Sequence, residues 1–109
     1  MDTAHLLDKL ITRAEELRSE TAETRDLRKP VLLDQQSVGR LSRVDALQVQ
    51  AMAVEVDRRR SSELKEISSA LDRIASGEYG QCRVCGEHID AARLDAIPTA
   101  TACIECADL

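Results

Sequence analysis

Cys82 and Cys85 are separated by two residues, Cys103 and Cys106 likewise, and 17 residues lie between the pairs. Two sulfurs at that spacing reach one metal ion from a tight turn, and two such turns complete the tetrahedron of thiolates that structural zinc prefers. The same four side chains are compatible with an iron-sulfur cluster, a pair of disulfides or a catalytic dithiol. A closed four-thiolate set leaves no open coordination position for chemistry, and no serine, histidine and acid constellation stands out elsewhere. The reading is therefore one structural zinc held by Cys82, Cys85, Cys103 and Cys106, with no catalytic residues. The start of the chain has no basic stretch leading into a long apolar run, and no window of about 18 apolar residues occurs. The default compartment is then the reducing cytoplasm, with no membrane association, where paired cysteines read as metal ligands.

Gly86 directly follows the second cysteine, where a positive φ lets the turn curl and aim amides at the sulfurs. Ala107 occupies the matching place after Cys106, so the two turns need not be alike. His88 is expected to be a solvated loop residue and His5 part of a helix surface. Between the turns, Asp90 can cap a short helical piece running through Leu94, which Pro98 stops. The module's own apolar residues are few: Ile89, Leu94, Ile97 and Ile104. Metal binding must supply much of its folding free energy.

The elements that precede the module read as two helices. Leu7, Leu10, Ala14, Leu17, Thr21 and Thr24 recur at steps of three and four across a first helix from Thr3 to about Leu27, which is a heptad seam. Pro30 ends it. A connection from Lys29 to Leu41 follows, with a short apolar patch at Val31 to Leu33 and a glycine at Gly39. Ser42 and Asp45 have the capping-box spacing, so a second helix is expected from Ser42 to about Ser76, roughly 50 Å at 1.5 Å per residue. Leu64, Ile67, Leu71 and Ile74 can face Leu7 to Leu17 if the helices run antiparallel. Upstream, Val44, Leu47, Ala51 and Val54 form another run that is out of phase by a stutter. The polar stretch Asp57 to Ser62 marks the phase change, and Arg58 to Arg60 read as a solvated face. The expected fold class is mainly α: a long antiparallel helical hairpin, coiled-coil in character, over residues 1–76 with its tip near 29–45, followed by a small four-cysteine zinc-finger module at 77–109.

Composition agrees with an elongated fold. The 109 residues include Tyr79 as the only aromatic, and 32% are charged, so a narrow aliphatic seam replaces an aromatic core. The formal net charge is −5; four thiolates and one dication change it by −2, to about −7. Autonomous or sequence-specific DNA binding is not expected on that balance, since it rests on neutralising phosphates. A monomer is expected.

The run Tyr79-Gly80, Cys82-x2-Cys85-Gly86, Arg93-Leu94-x-Ala96-x-Pro98-Thr99-Ala100 and Cys103-Ile104-x-Cys106 resembles the DksA/TraR zinc-finger family, and the preceding helical pair fits the same architecture. The resemblance implies a bacterial regulator that binds RNA polymerase by inserting its hairpin through the secondary channel. The family's tip pattern, Asp-x-x-Asp-x-Ala, falls on Gly39, Ser42 and Val44, which do not match; Asp45 is the nearest carboxylate. The implied polymerase contacts are Asp45 with its neighbours Arg40, Ser42 and Arg43 at the tip, and Arg59, which coincides with a basic position gripping the polymerase rim. The basic positions that hold ppGpp in longer members fall on Glu66, Ile97 and Ala107, so action independent of ppGpp is expected. Longer members also continue into a C-terminal helix, whereas this sequence stops three residues after Cys106. An alternative is a zinc-stabilised interaction module without a polymerase role, binding a partner along Val31 to Leu33 or the Arg58 to Arg60 face.

Overall fold

The computed structural model describes residues 3–29 and 40–107, and for residues 40–42 the backbone alone. The protein is mainly helical: α1 spans Ala4–Glu23, a 3-10 turn spans Arg25–Arg28, α2 spans Arg40–Ser76 and α3 spans Ala91–Ala96. Among the described residues the only extended pairing is an isolated antiparallel bridge between Gln81 and His88. No described helix is long and apolar enough to cross a membrane. The chain divides into two compact units, Met1–Glu15 with Leu64–Leu109, and Glu16–Glu63.

In the first unit, Leu6, Leu10 and Ala14 from α1 are buried, as are Ile67 and Ala70 from α2. Fully burying one such Leu or Ile side chain stabilises by roughly 1.5–3 kcal/mol. Leu6 rather than Leu7 takes the innermost place, while Leu64, Leu71 and Ile74 are half-buried. Below them, Tyr79, Cys82, Ile89 and Leu94 form the core of the cysteine module. The expectation that Ile97 and Ile104 join that core is not met: they are 46% and 65% exposed. Tyr79 fills the space instead and donates its hydroxyl to the Pro98 carbonyl at 2.8 Å. Two side chains of α1 reach α3: Lys9 Nζ donates to Asp95 Oδ1 at 2.7 Å, and His5 Nε2 lies 3.3 Å from the same oxygen.

α2 ends in a Schellman motif. The Glu78 amide donates to the Arg73 carbonyl at 2.9 Å and the Gly77 amide to Ile74 at 3.3 Å, with Gly77 at φ +79. A side chain at that φ is strained, which is why glycine closes the helix. The Tyr79 amide also reaches the Arg73 carbonyl, at 3.1 Å.

The second unit is held differently. Leu17 is the one fully buried aliphatic side chain among its described residues. Much of the rest of its inner face is polar: Thr21 donates to Asp57 at 3.0 Å, Arg60 donates to Thr24 Oγ1 at 3.1 Å and faces Glu20 at 3.4 Å, and Gln50 donates to the Lys29 carbonyl at 2.9 Å. From Glu20 with Arg60 through Thr21 with Asp57 to Lys29 with Gln50 the pairs run in antiparallel order, and the bond from Arg60 to Thr24 departs from it. The expected apolar continuation through Val44, Leu47, Ala51 and Val54 does not pack here, since all four are exposed. Ala46, Gln50, Ala53, Asp57 and Arg60 are among the half-buried positions, and the α1 partner offers hydroxyls rather than methyls at Thr21 and Thr24.

Two helix boundaries also differ from expectation. α1 stops at Glu23, not near Leu27, because Thr24 turns its hydroxyl back to the Glu20 carbonyl at 2.9 Å and the chain tightens into the 3-10 turn. Arg28 then closes that turn, donating to Thr24 Oγ1 and to the Thr21 carbonyl, both at 2.9 Å. At the other boundary α2 already includes Arg40 and Leu41. Ser42 is therefore inside the helix, and the Ser42 to Asp45 capping box does not form the start. The expected connection features Pro30, Val31 to Leu33 and Gly39 lie outside the described residues.

Candidate metal centre

Each cysteine is placed by a short backbone device. Cys82 is buried; its amide donates to the Glu87 carbonyl at 2.8 Å, and its carbonyl accepts the Gly86 amide at 2.9 Å. This pair of bonds folds residues 82 to 87 into a tight knuckle. Gly86 supplies the φ of +77 that the knuckle needs, and a Cβ there would meet nothing within 4 Å. Its requirement is conformational rather than spatial. In the second knuckle the Cys106 amide donates to the Cys103 carbonyl at 3.1 Å, and Ala107 needs no positive φ. The Arg83 amide donates to the Thr101 carbonyl at 2.9 Å, tying the knuckles together.

α3 spaces the two knuckles. The Leu94 amide donates to the Asp90 carbonyl at 3.1 Å, and Leu94 is fully buried. Asp90 occupies the N-cap position as expected from its place in the sequence, but its side chain makes no capping hydrogen bond. Arg93 ties α3 to the second knuckle instead, donating from Nε to the Ala102 carbonyl at 2.9 Å, one residue before Cys103.

The four sulfurs all lie within 4.8 Å of one another. Cys85 and Cys103 sulfurs are 3.8 Å apart, far beyond the roughly 2.05 Å of a disulfide. Four thiolates at the usual Zn–S distance of about 2.3 Å occupy tetrahedron corners about 3.8 Å apart. The donor set and its spacing fit one structural zinc, and the protein is a four-cysteine zinc binder. Zinc supplies charge compensation and cross-linking here, not an open site for chemistry.

The sulfurs perturb one another. Backbone amides of Cys85 and then Cys103 hold the Cys82 thiol down at about 6. The hydrogen bond with Cys103 and then burial push the Cys106 thiol up to about 12. Cys85 is also raised on balance; a backbone hydrogen bond at Glu87 pulls it down, but the neighbouring Cys82 sulfur and burial outweigh it. So many thiolates so close together require a cation to coexist. His88 is exposed, as expected, and it does not belong to the clustered donor set.

The other residues singled out from the sequence are on α2 in the second unit. Asp45 is exposed, Arg43 is half-buried, and only the backbone of Ser42 is described. Arg59 is 74% exposed and meets Glu55 at 3.3 Å. Glu55 also receives Arg58 in a two-pronged pair at 2.7 and 2.9 Å. Those contacts, led by the Arg58 hydrogen bond, hold its carboxyl down at about 2. The solvated face expected at Arg58 to Arg60 is correct for the first two only, because Arg60 turns into the helix seam.

Sequence periodicity gave no sign of a second feature of α2. Val49, Met52 and Val56 stand exposed on one flank, and with Leu27, Thr24, Ala53 and Arg60 they line an open apolar groove of about 300 Å³. Val44, Leu47 and Val54 are exposed on the other flank. The signal was present as an excess of aliphatic residues from Val44 to Val56, more than one seam can use.

Comparison with known proteins places this geometry. Residues 77–108 match the family described as the prokaryotic dksA/traR C4-type zinc finger. The chain is 36% identical over 75 residues to an uncharacterized protein of Aquifex aeolicus, covering 69% of this chain and 48% of that one. It is 41% identical over 46 residues to the RNA polymerase-binding transcription factor DksA of Haemophilus influenzae, covering 42% and 32% respectively. The matched stretches thus span less than half of these relatives. A solved structure, transcription factor DksA2 from Pseudomonas aeruginosa, aligns with a TM-score of 0.78 at 31% identity, covering 97% of this chain and 80% of that one.

Proposed function

The chain belongs to the DksA/TraR C4-type zinc-finger family, and from that premise we propose that it regulates transcription by binding RNA polymerase through the secondary channel, without catalysing a reaction itself. The likeness to DksA2 along nearly the whole chain carries this reading. The surface of α2 supports it: aliphatic side chains on both flanks and the exposed guanidinium of Arg59 are what a protein partner covers.

Within this reading Asp45, Ser42 and Arg43 form the tip chemistry and Arg59 grips the polymerase. Asp45 is exposed and beyond the first turn of α2, so helix capping does not claim its carboxylate. A carboxylate brought near groups that handle Mg²⁺ competes for or reorganises them, and changes the lifetime of the open complex. Regulation is independent of ppGpp at the family's shared position, because Glu66, Ile97 and Ala107 are exposed there and offer an acid and two apolar groups where phosphates need cations.

The test is binding of the zinc-loaded chain to RNA polymerase core enzyme in competition with a known secondary-channel ligand. Competitive binding, weakened by Arg59→Ala and with Asp45→Ala altering transcription but not affinity, supports the reading. Absence of binding at micromolar concentrations sinks it and leaves a zinc-stabilised interaction module that docks another protein. The open groove of Leu27, Val49, Met52 and Val56 favours that second reading, since it suits an apolar side chain from any partner.

A further inference from the structure

Arg73 lies in the last turn of α2 and is only 7% exposed. Its Nη2 is buried and has no hydrogen-bond partner among the described residues. A guanidinium group donates through five N–H bonds and stays protonated, so a buried donor left unmatched is costly. The side chain lines a cavity of about 220 Å³ together with Lys65, Glu66, Arg83, Thr99 and Thr101. Burial, and then the nearby charge of Arg83, holds the Arg73 pKa below its ordinary value. Two guanidinium groups that repel one another around an unmatched donor constitute a site in want of an anion.

We propose that Arg73 and Arg83, with Lys65 and the hydroxyls of Thr99 and Thr101, bind a phosphate-type oxyanion, either the free ion or the phosphoryl end of a small molecule. Three cations against the single carboxylate of Glu66 leave a net charge of +2 around the cavity, in a chain whose net charge is −5. The planar forks of two arginines suit the paired oxygens of a phosphate better than they suit a spherical halide. The volume is below the roughly 300–1,000 Å³ of pockets that hold drug-sized molecules, which fits a small anionic group.

The site is prepared in advance. The Arg73 carbonyl is fixed by the Glu78 and Tyr79 amides, and the Arg83 amide is fixed by the Thr101 carbonyl. Both arginines therefore present side chains from pinned backbone, which lowers the ordering cost of binding. Of the positions discussed above only Glu66 lines the cavity, as its one acid, while Ile97 and Ala107 do not, and binding here does not depend on polymerase.

The test is a titration of the full zinc-loaded chain with inorganic phosphate, following the arginine Nε–Hε resonances by NMR at constant ionic strength balanced with chloride. Saturable shifts at Arg73 and Arg83 are expected. Arg83→Gln and Arg73→Met should each weaken binding tenfold or more, because each removes hydrogen bonds to a charged ligand. Arg83 is exposed, so Arg83→Gln keeps the fold and remains informative even if Arg73→Met does not. Adenosine monophosphate then distinguishes the sources: if it displaces phosphate, the ligand is a phosphoryl group on a larger molecule, and if it does not, the ligand is the free ion. Shifts that chloride alone reproduces, or an affinity unchanged in Arg83→Gln, overturn the proposal.

Discussion

Tyr79→Phe isolates the contribution of one hydrogen bond to the metal centre. The ring is 9% exposed, and its hydroxyl donates to the Pro98 carbonyl at 2.8 Å. Phenylalanine keeps the ring and its burial and removes only that donor. Pro98 is half-buried, so water can reach its carbonyl and the loss stays near the usual neutral value of about 1 kcal/mol. Folding of such a module is coupled to metal binding, so the same free energy appears as roughly fivefold weaker zinc affinity. Tyr79→Ala, which also removes the buried ring, should cost about 3–5 kcal/mol and weaken zinc by more than a hundredfold. The assay is competition with a chromophoric chelator at fixed pH, since zinc binding releases protons, with circular dichroism as a check that the helices persist. A Phe variant within twofold of the parent, or one as weak as the Ala variant, would refute the reasoning: the first removes the hydrogen bond from the account, and the second denies that burial dominates.

Gly86→Ala meets no steric obstacle but must adopt a φ of +77; at roughly 1–2 kcal/mol for a left-handed residue, zinc affinity by the same competition should fall about 5- to 30-fold. In the second unit, Asp57→Ala removes the acceptor of the Thr21 hydroxyl and the carboxylate 3.7 Å from the Arg28 Nε, while Arg28 keeps its bonds to Thr24 and to the Thr21 carbonyl. With the Asp57 side chain 25% exposed, the loss is discounted for solvent to about 1 kcal/mol, and a double-mutant cycle with Thr21→Val in thermal unfolding should return a coupling of at least about 0.5 kcal/mol. Glu55 should titrate near 2 rather than at the ordinary 4.5 when its carboxyl carbon is followed by NMR, and Arg58→Gln should raise that midpoint. Because its folded pKa is depressed, the helix support it gives is complete above about 4.5 and disappears as pH falls toward 2.

The features visible in the sequence were those with a local cause. Two Cys-x2-Cys pairs define a metal knuckle whatever surrounds them, Gly86 announces its positive φ, and Pro98 limits α3. The seam of α1 near Leu10 to Leu17 was equally plain, because aliphatic residues at heptad spacing have one use. The register of α2 upstream of Leu64 was not. Val44, Leu47, Ala51 and Val54 have ideal spacing, yet the half-buried positions include Asp57 and Arg60, which meet the hydroxyls of Thr21 and Thr24 on the facing helix. Periodicity reports which side chains share a face, not which face meets the partner. Arg73 was invisible for a related reason: a charged residue in a final helix turn is ordinarily solvated, and only the three-dimensional course of residues 77–101 covers it. Ile97 and Ile104 show the converse, since apolar character alone does not secure a place in so small a core.

The way α2 ends decides where this protein can be cut and rejoined. The family match begins at residue 77, and a chimaera designed from sequence similarity would place its junction there. The Arg73 carbonyl, however, accepts the amides of both Glu78 and Tyr79, so the first two residues past the glycine are still bonded into the helix they follow. A graft made at Gly77 would keep every zinc ligand while changing the acceptor that aims Tyr79 at Pro98. Transplanted fingers should therefore carry the last turn of their own helix with them, with the joint placed before Arg73, where the chain is still ordinary helix.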